Sequence, residues 1–177
     1  MNHQEPLHRA LVEKFGNANV EHQFNIVAAA SDGYEKGFLY TPIPDFAIRP
    51  FNLDRDKEAN VRSIEQAFRD HSQLIGRIAS NAYEGNALNF GHNPNPRLFI
   101  EIEVENKNTE KHTLGSIINA SLLGKIGILV GATPEAYELL TRIKSYLKFV
   151  EDRKGLSLGA NVVVIRMESL IGALEHV

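Results

Sequence analysis

The chain is predicted to fold as a single α/β domain, a mixed β-sheet flanked by helices. Three observations predict this. Leu98 to Val130 reads strand, helix, strand, which is a βαβ unit with two parallel strands joined right-handedly. Short apolar runs alternate with amphipathic stretches at helical spacing along the chain. No repeat, low-complexity segment or composition shift divides the 177 residues, a length suited to one core.

The elements follow in order. Glu5 to Phe15 carries Leu7, Ala10, Leu11 and Phe15 on one stripe, with Gly16 as a stop. Phe24 to Ala30 reads as a buried strand, punctuated by Ser31-Asp32-Gly33. Phe38-Leu39-Tyr40 is a second short strand. Thr41-Pro42-Ile43-Pro44 is held extended by its prolines. It leads into a third strand, Asp45-Phe46-Ala47-Ile48, which Pro50 is expected to end. Asp54 to Ala82 is predicted as one long helix. Its apolar positions Val61, Ile64, Phe68, His71, Ile75, Ile78 and Ala82 alternate three and four apart, as along one side of a coiled coil. This seam is either the core-facing side of the helix or a contact between two copies of the chain, a homodimer. His71 lacks a partner at i+4, so a packed histidine is expected there and not a metal ligand.

After an Asn-, Gly- and Pro-rich loop from Asn86 to Pro96 comes the most unusual segment, Phe99-Ile100-Glu101-Ile102-Glu103-Val104-Glu105. Its alternation is that of a strand, with three glutamates on one face. A helix follows from near Thr109 to Leu123, with Leu114, Ile117, Ile118, Ser121 and Leu122 as its buried side and Gly124 as its stop. Ile126 to Val130 has no polar face and is predicted to be covered on both sides. Thr133-Pro134-Glu135 is a helix start: capping hydroxyl, proline in the first turn, acid at the positive end. That helix is expected to carry Ala136, Leu139, Leu140, Ile143, Leu147 and Val150. Gly155 to Gly159 is a turn, Asn161 to Met167 a strand, and the last ten residues a short helix.

Composition narrows the function classes. The chain has no cysteine, which excludes disulfides and cysteine-based zinc or nucleophile chemistry. No apolar run is long enough to cross a bilayer, and the N-terminus lacks the basic-then-apolar pattern of a secretory signal. A cytoplasmic location is the expectation. A net charge of −3 argues against a protein that coats nucleic acid through bulk positive charge, though not against one with a local basic patch. The histidines show no H-E-x-x-H spacing, and there is no P-loop or dinucleotide fingerprint. Gly155-Leu156-Ser157-Leu158-Gly159 spells G-x-S-x-G, but a helix precedes it and a strand follows, the reverse of a hydrolase elbow.

The acidic ladder is the candidate site. Glutamates two apart on a strand have Cα atoms about 6.6 Å apart. Their repulsion is about 0.6 kcal/mol per pair in water and about 2.5 kcal/mol at an effective dielectric of 20. An exposed ladder is therefore cheap, and a solvated acidic face remains one reading. A half-buried ladder needs compensation, which a divalent cation provides while keeping the acids ionised.

Asp45-Phe46-Ala47-Ile48 preceded by Pro44, then Ile102-Glu103-Val104-Glu105, a helix and a buried strand, resembles the PD-(D/E)xK nuclease superfamily of restriction-endonuclease-like proteins. Asn95-Pro96-Arg97, Lys111-His112-Thr113-Leu114-Gly115 and Gly124-Lys125-Ile126-Gly127-Ile128 are similar to segments of that group. The resemblance runs from Pro44 to Gly131. It implies a core of helix, three strands, helix and strand, with residues 54–82 as a helical insertion. It implies Mg²⁺-assisted phosphodiester hydrolysis on a nucleic acid. Asp45 would be the first metal ligand and Glu103 the second acid. Glu105 would occupy the place where the family usually has lysine. The alternative register uses Glu101 and Glu103; Glu103 and Glu105 lie nearer the C-terminal end of the strand, where open α/β sheets form clefts. Lys107 or Lys111 would supply the missing positive charge, Lys111, His112 and the helix start beside them would hold phosphate oxygens, and Glu13 would add an outer acid. A nuclease-like protein without activity, acting as a binding or structural module, is the alternative.

Overall fold

A computed structural model describes residues 4–26, 42–53, 57–84, 88–106, 110–155 and 159–175. The sheet has five strands in sequential order: β1 (Val20–His22), β2 (Phe46–Phe51), β3 (Leu98–Glu105), β4 (Gly124–Gly131) and β5 (Val162–Arg166). The first three form an antiparallel meander, and β3, β4 and β5 run parallel. The helices are α1 (Gln4–Phe15), α2 (Lys57–Asp70), α3 (Ser72–Ser80), α4 (Glu110–Leu123), α5 (Pro134–Lys154) and α6 (Met167–Glu175). A 3₁₀ turn at Asn17–Asn19 follows α1. The expected mixed α/β class with helices on the sheet is what the chain adopts. Among the described residues no helix is long and apolar enough to cross a membrane.

Strand alternation splits the molecule into two layers. One face of the sheet presents Phe46, Ile48, Ile100, Ile102, Ile126, Ile128, Val130, Val163 and Ile165. These pack with Leu7 and Leu11 of α1, Ile64 of α2, Ile75 and Ile78 of α3 and Leu170 of α6 in the main core. The other face presents Leu129, Val162 and Val164 to Ile117 and Ala120 of α4 and Leu140 and Leu147 of α5. The central strand β4 is buried at every position, as its unbroken apolar run predicts. Two of its glycines let the helices lie against it. A Cβ on Gly127 would stand 2.8 Å from the Cβ of Ala120, and one on Gly131 would stand 2.6 Å from the Cα of Tyr137.

Local signals account for the element ends. Gly16, at φ 82°, follows α1. Thr133 Oγ1 accepts a hydrogen bond from the Ala136 N–H at 3.2 Å, and Gly155 closes α5 in the left-handed conformation. In the loop before β3, the Asn93 amide donates to the carbonyl oxygens of Ser121, Leu122 and Gly124, satisfying the C-terminal end of α4.

Four expectations are corrected. Pro50 does not end β2, which continues to Phe51 across a register shift between Ile48 and Phe51; an irregular pairing is where a strand tolerates proline. The long helix is two helices broken at His71. The His71 ring packs between those of Phe15 and Phe99, with centroids 5.2 and 5.7 Å away. The first strand is Val20–His22, ahead of the predicted start at Phe24; Phe24 and Asn25 are irregular, and residues 27–30 lie outside the described residues, as do Phe38-Leu39-Tyr40. Leu122 is 62% exposed, and Thr113, Ile117, Ala120 and Ser121 form the buried side of α4. The seam of α2 and α3 turns inward: Ile64, Ile75 and Ile78 are core residues, with Phe68 and Ala82 packed against them.

Candidate functional site

Register places the acids. Phe46 pairs with Ile102 and Ala47 with Glu101, so the next position toward the start of β2 sets Asp45 opposite Glu103. Opposed residues share a face of a sheet. The face is that of Glu101, Glu103 and Glu105, because Ile100 and Ile102 point into the main core. The two adjacent strands thus bring Asp45 to the acidic ladder, at the C-terminal end of β3.

Asp45 is held by both oxygens. Its Oδ2 accepts the backbone N–H of Val104 at 2.8 Å, and its Oδ1 accepts the side-chain amide of Gln23, also at 2.8 Å. The Gln23 N–H donates in turn to the Asp45 carbonyl oxygen at 2.9 Å. The carboxylate therefore stands in for the β2 partner that Val104 lacks. It stays half-buried, leaving part of its surface to solvent.

The ladder grades from buried to accessible. Glu101 is fully buried, flanked in the sheet by Ala47 and Gly127. Neither of its Oε atoms makes a hydrogen bond of ordinary geometry. Burial is the main force pushing its carboxyl well above the usual range, joined by the charge of Glu103, by a contact in which Glu101 holds the proton toward Glu103, and by the charge of Asp45. Glu103 is half-buried. Its pKa is pushed up to about 8, first by burial, then by Asp45; Glu105 adds to the rise, while hydrogen bonding from Glu101 and the Asp45 backbone opposes it. Glu105 is also half-buried and accepts the hydroxyl of Ser116 on α4 at 2.5 Å, within the range of a charge-assisted bond. The charges acting on Glu101 and Glu103 are all acidic.

No family model, curated protein or solved structure matches the chain. The reading of the site therefore rests on its own geometry.

Asp45 and Glu103 come together as the sequence suggested, with Glu105 beside them and Glu101 behind. Among the described residues, no three His, Cys, Asp or Glu side chains stand in an arrangement that could hold a metal ion; the convergent unit is a pair. Lys111 and His112 are exposed in the first turn of α4, and Lys111 is absent from the charges acting on the acids. Lys107 lies outside the described residues. Glu13 is not brought to the site: α1 covers the opposite face of the sheet, where Glu13 adjoins Lys14, Leu174 and Glu175. Sequence reasoning missed Gln23 and Ser116. Gln23 sits outside any strand at φ 52°, a conformation no pattern in the sequence announces. Ser116 is one polar residue among several on an amphipathic helix.

Proposed function

We propose that this protein is a Mg²⁺-dependent nuclease that hydrolyses phosphodiester bonds of a nucleic acid. One observation carries the reading: Asp45 and Glu103 oppose each other across β2 and β3 on a half-buried acidic face, where the charges acting on Glu103 among the described residues are acidic. The element order supports it. The run α1, β1, β2, β3, α4, β4 follows the helix, three strands, helix and strand of a restriction-endonuclease-like core, with α2 and α3 as the insertion between β2 and β3.

The donor set suits a hard cation. Glu101 is a buried carboxyl whose oxygens make no hydrogen bond of ordinary geometry, and Glu103 beside it ionises reluctantly, first because of burial and then because of the charge of Asp45. Asp45 and Glu103 would hold the ion, with waters and phosphate oxygens completing a shell of the kind Mg²⁺ prefers. Bound Mg²⁺ would polarise the phosphate and ease deprotonation of the attacking water. Asp45, fixed by Val104 and Gln23, contributes an oriented acceptor. Glu103 contributes charge once its proton leaves. Glu105, anchored by Ser116, would accept a proton from the attacking water. Lys111 and His112 stand exposed nearby in sequence to meet phosphate oxygens.

One observation favours the second reading, a nuclease-like module without activity. The family's lysine position is Glu105, and its carboxylate is already engaged by Ser116. A homodimer through residues 61–82 would have to use the outer sides of α2 and α3, since Ile64, Ile75 and Ile78 are committed to the core.

Incubation with supercoiled DNA and with structured RNA separates these readings. The nuclease reading expects cleavage that requires Mg²⁺, stops with a chelator and is lost in Glu103→Ala. No cleavage of any nucleic acid, with Mg²⁺ or Mn²⁺ still binding by calorimetry, selects the inactive module. No cleavage and no binding overturns the metal reading.

A further inference from the structure

We propose that a cleft on the other side of the sheet binds a small phosphate monoester carrying a flat ring, a ligand of the nucleoside monophosphate class. The proposal involves no cation and stands apart from the metal reading. The cleft has a volume of about 650 Å³, within the range of small-molecule sites. It opens between α1, β2 and α2, on the sheet face opposite the acids. Two departures from regular structure meet on its lining: the register shift of β2 between Ile48 and Phe51, and the break between α2 and α3 at His71. An irregular strand re-aims its side chains, and such irregularities gather at sites. Here the shift brings Arg49, and the break brings His71, to one cleft.

Arg49 is set to meet an anion. Its guanidinium lies over the Phe51 ring, 4.5 Å from the centroid, and donates to Glu21 at 2.9 Å. Glu21 is its one acceptor among the described residues, and a guanidinium has several N–H donors in a fixed fork. The Arg49 side chain is 45% exposed, and an exposed pair of this kind holds its partners only weakly. The His71 ring is fixed by Phe15 and Phe99, and its nitrogens have no hydrogen-bond partner among the described residues. Burial, then the charge of Lys14, lowers the His71 pKa, with Asp70 opposing. Burial, then the charge of Arg77, lowers that of Lys14. Basic groups that depress one another in this way are relieved by an anion. Asp70, on the lining, has its Oδ1 taken by the Gln66 amide at 2.7 Å. Phe15, Pro50, Phe51 and Ala67 give the cleft the apolar wall against which a flat ring packs. A bare anion would leave that wall in water, and an uncharged ring would leave Arg49 and His71 unanswered.

The test titrates AMP, GMP, CMP and UMP into the full chain by calorimetry, with a chelator present, and sets inorganic phosphate and adenosine beside them as partial ligands. At least one monophosphate should bind more tightly than either partial ligand, by about tenfold or more. Arg49→Gln should weaken that binding by about tenfold or more, with a melting temperature close to wild type. Arg49→Lys, which keeps the charge and loses the fork, should restore part of it. Followed by NMR, the His71 ring should hold its proton to a pH higher by about one or more in the complex. Four monophosphates that fail to bind, or bind no better than inorganic phosphate, overturn the proposal. So does binding that is unmoved by Arg49→Gln or without effect on the His71 ring, because the ligand then sits elsewhere. A monophosphate has no internucleotide bond to cleave, so any of these failures leaves the nuclease reading as it stands.

Discussion

Replacing Glu103 with glutamine tests the electrostatics of the site without depending on its chemistry. The substitution keeps the side chain's size and removes its titration. In the folded protein Glu103 ionises near pH 8, against an ordinary 4.5. A carboxyl whose folded pKa is raised binds more protons folded than unfolded, so stability falls as pH rises between those two values. At about 1.36 kcal/mol per pH unit, the loss across that window is on the order of 3–5 kcal/mol. Urea unfolding of wild type and Glu103→Gln, from pH 5 to 8.5 with a chelator present, reads it directly. The two proteins should have similar stability near pH 5. The wild type should then weaken progressively, leaving the glutamine variant several kcal/mol the more stable near pH 8. Millimolar Mg²⁺ should restore much of the wild type's loss at high pH and leave the variant less affected, because a ligand that binds only the folded state stabilises it. Parallel curves for the two proteins would refute the reasoning, since they would mean that Glu103 titrates alike folded and unfolded.

Three further outcomes follow from other residues. Glu101→Met removes a fully buried carboxyl whose oxygens make no hydrogen bond of ordinary geometry and should raise stability at pH 7 by about 1–3 kcal/mol, measured by denaturant unfolding, while weakening metal affinity little if Asp45 and Glu103 are the ligands. Asp45→Ala strips the acceptor from the Val104 N–H and should cost about 1.5–3 kcal/mol, with faster hydrogen exchange at the Val104 amide as the local signature. Gly127→Ala drives a Cβ within 2.9 Å of the Ala120 backbone and should lower stability by about 1–3 kcal/mol, seen as a lower urea midpoint with an unchanged m-value.

Much of this architecture is legible in the residues because strand and helix periodicities differ. The alternation of Phe99 to Glu105 fixes both the strand and its two faces. The unbroken run in β4 announces its coverage, and Thr133-Pro134-Glu135 marks the start of α5. The misreadings have physical causes. Pro50 lies at a register shift, which no local pattern reveals. The helix break at His71 comes in a stretch whose apolar spacing carries on unbroken, because both helices lie on the same core. At the site, the alternation shows which glutamates share a face but not how deeply each is buried. That depth comes from α4, which packs on β3, and from Gly124, where a Cβ would stand 3.2 Å from the Glu101 Cβ. The clamp on Asp45 comes from Gln23, 22 residues earlier, and depends on a left-handed turn of backbone that no sequence pattern announces.

The bond between Asp45 and the Val104 amide has a kinetic consequence. It joins positions 59 apart in the chain, and it forms at the rung beyond the last regular pair of β2 and β3. Contacts of such long sequence separation carry a large loop-closure cost and slow folding. A chain whose meander is only partly zipped, or slipped by one place, cannot set Asp45 against Glu103 at all. If the pair binds a cation as proposed, that affinity would appear only when the meander is complete, so a metal-sensitive signal followed during refolding would time the arrival of the final rung rather than the collapse of the core.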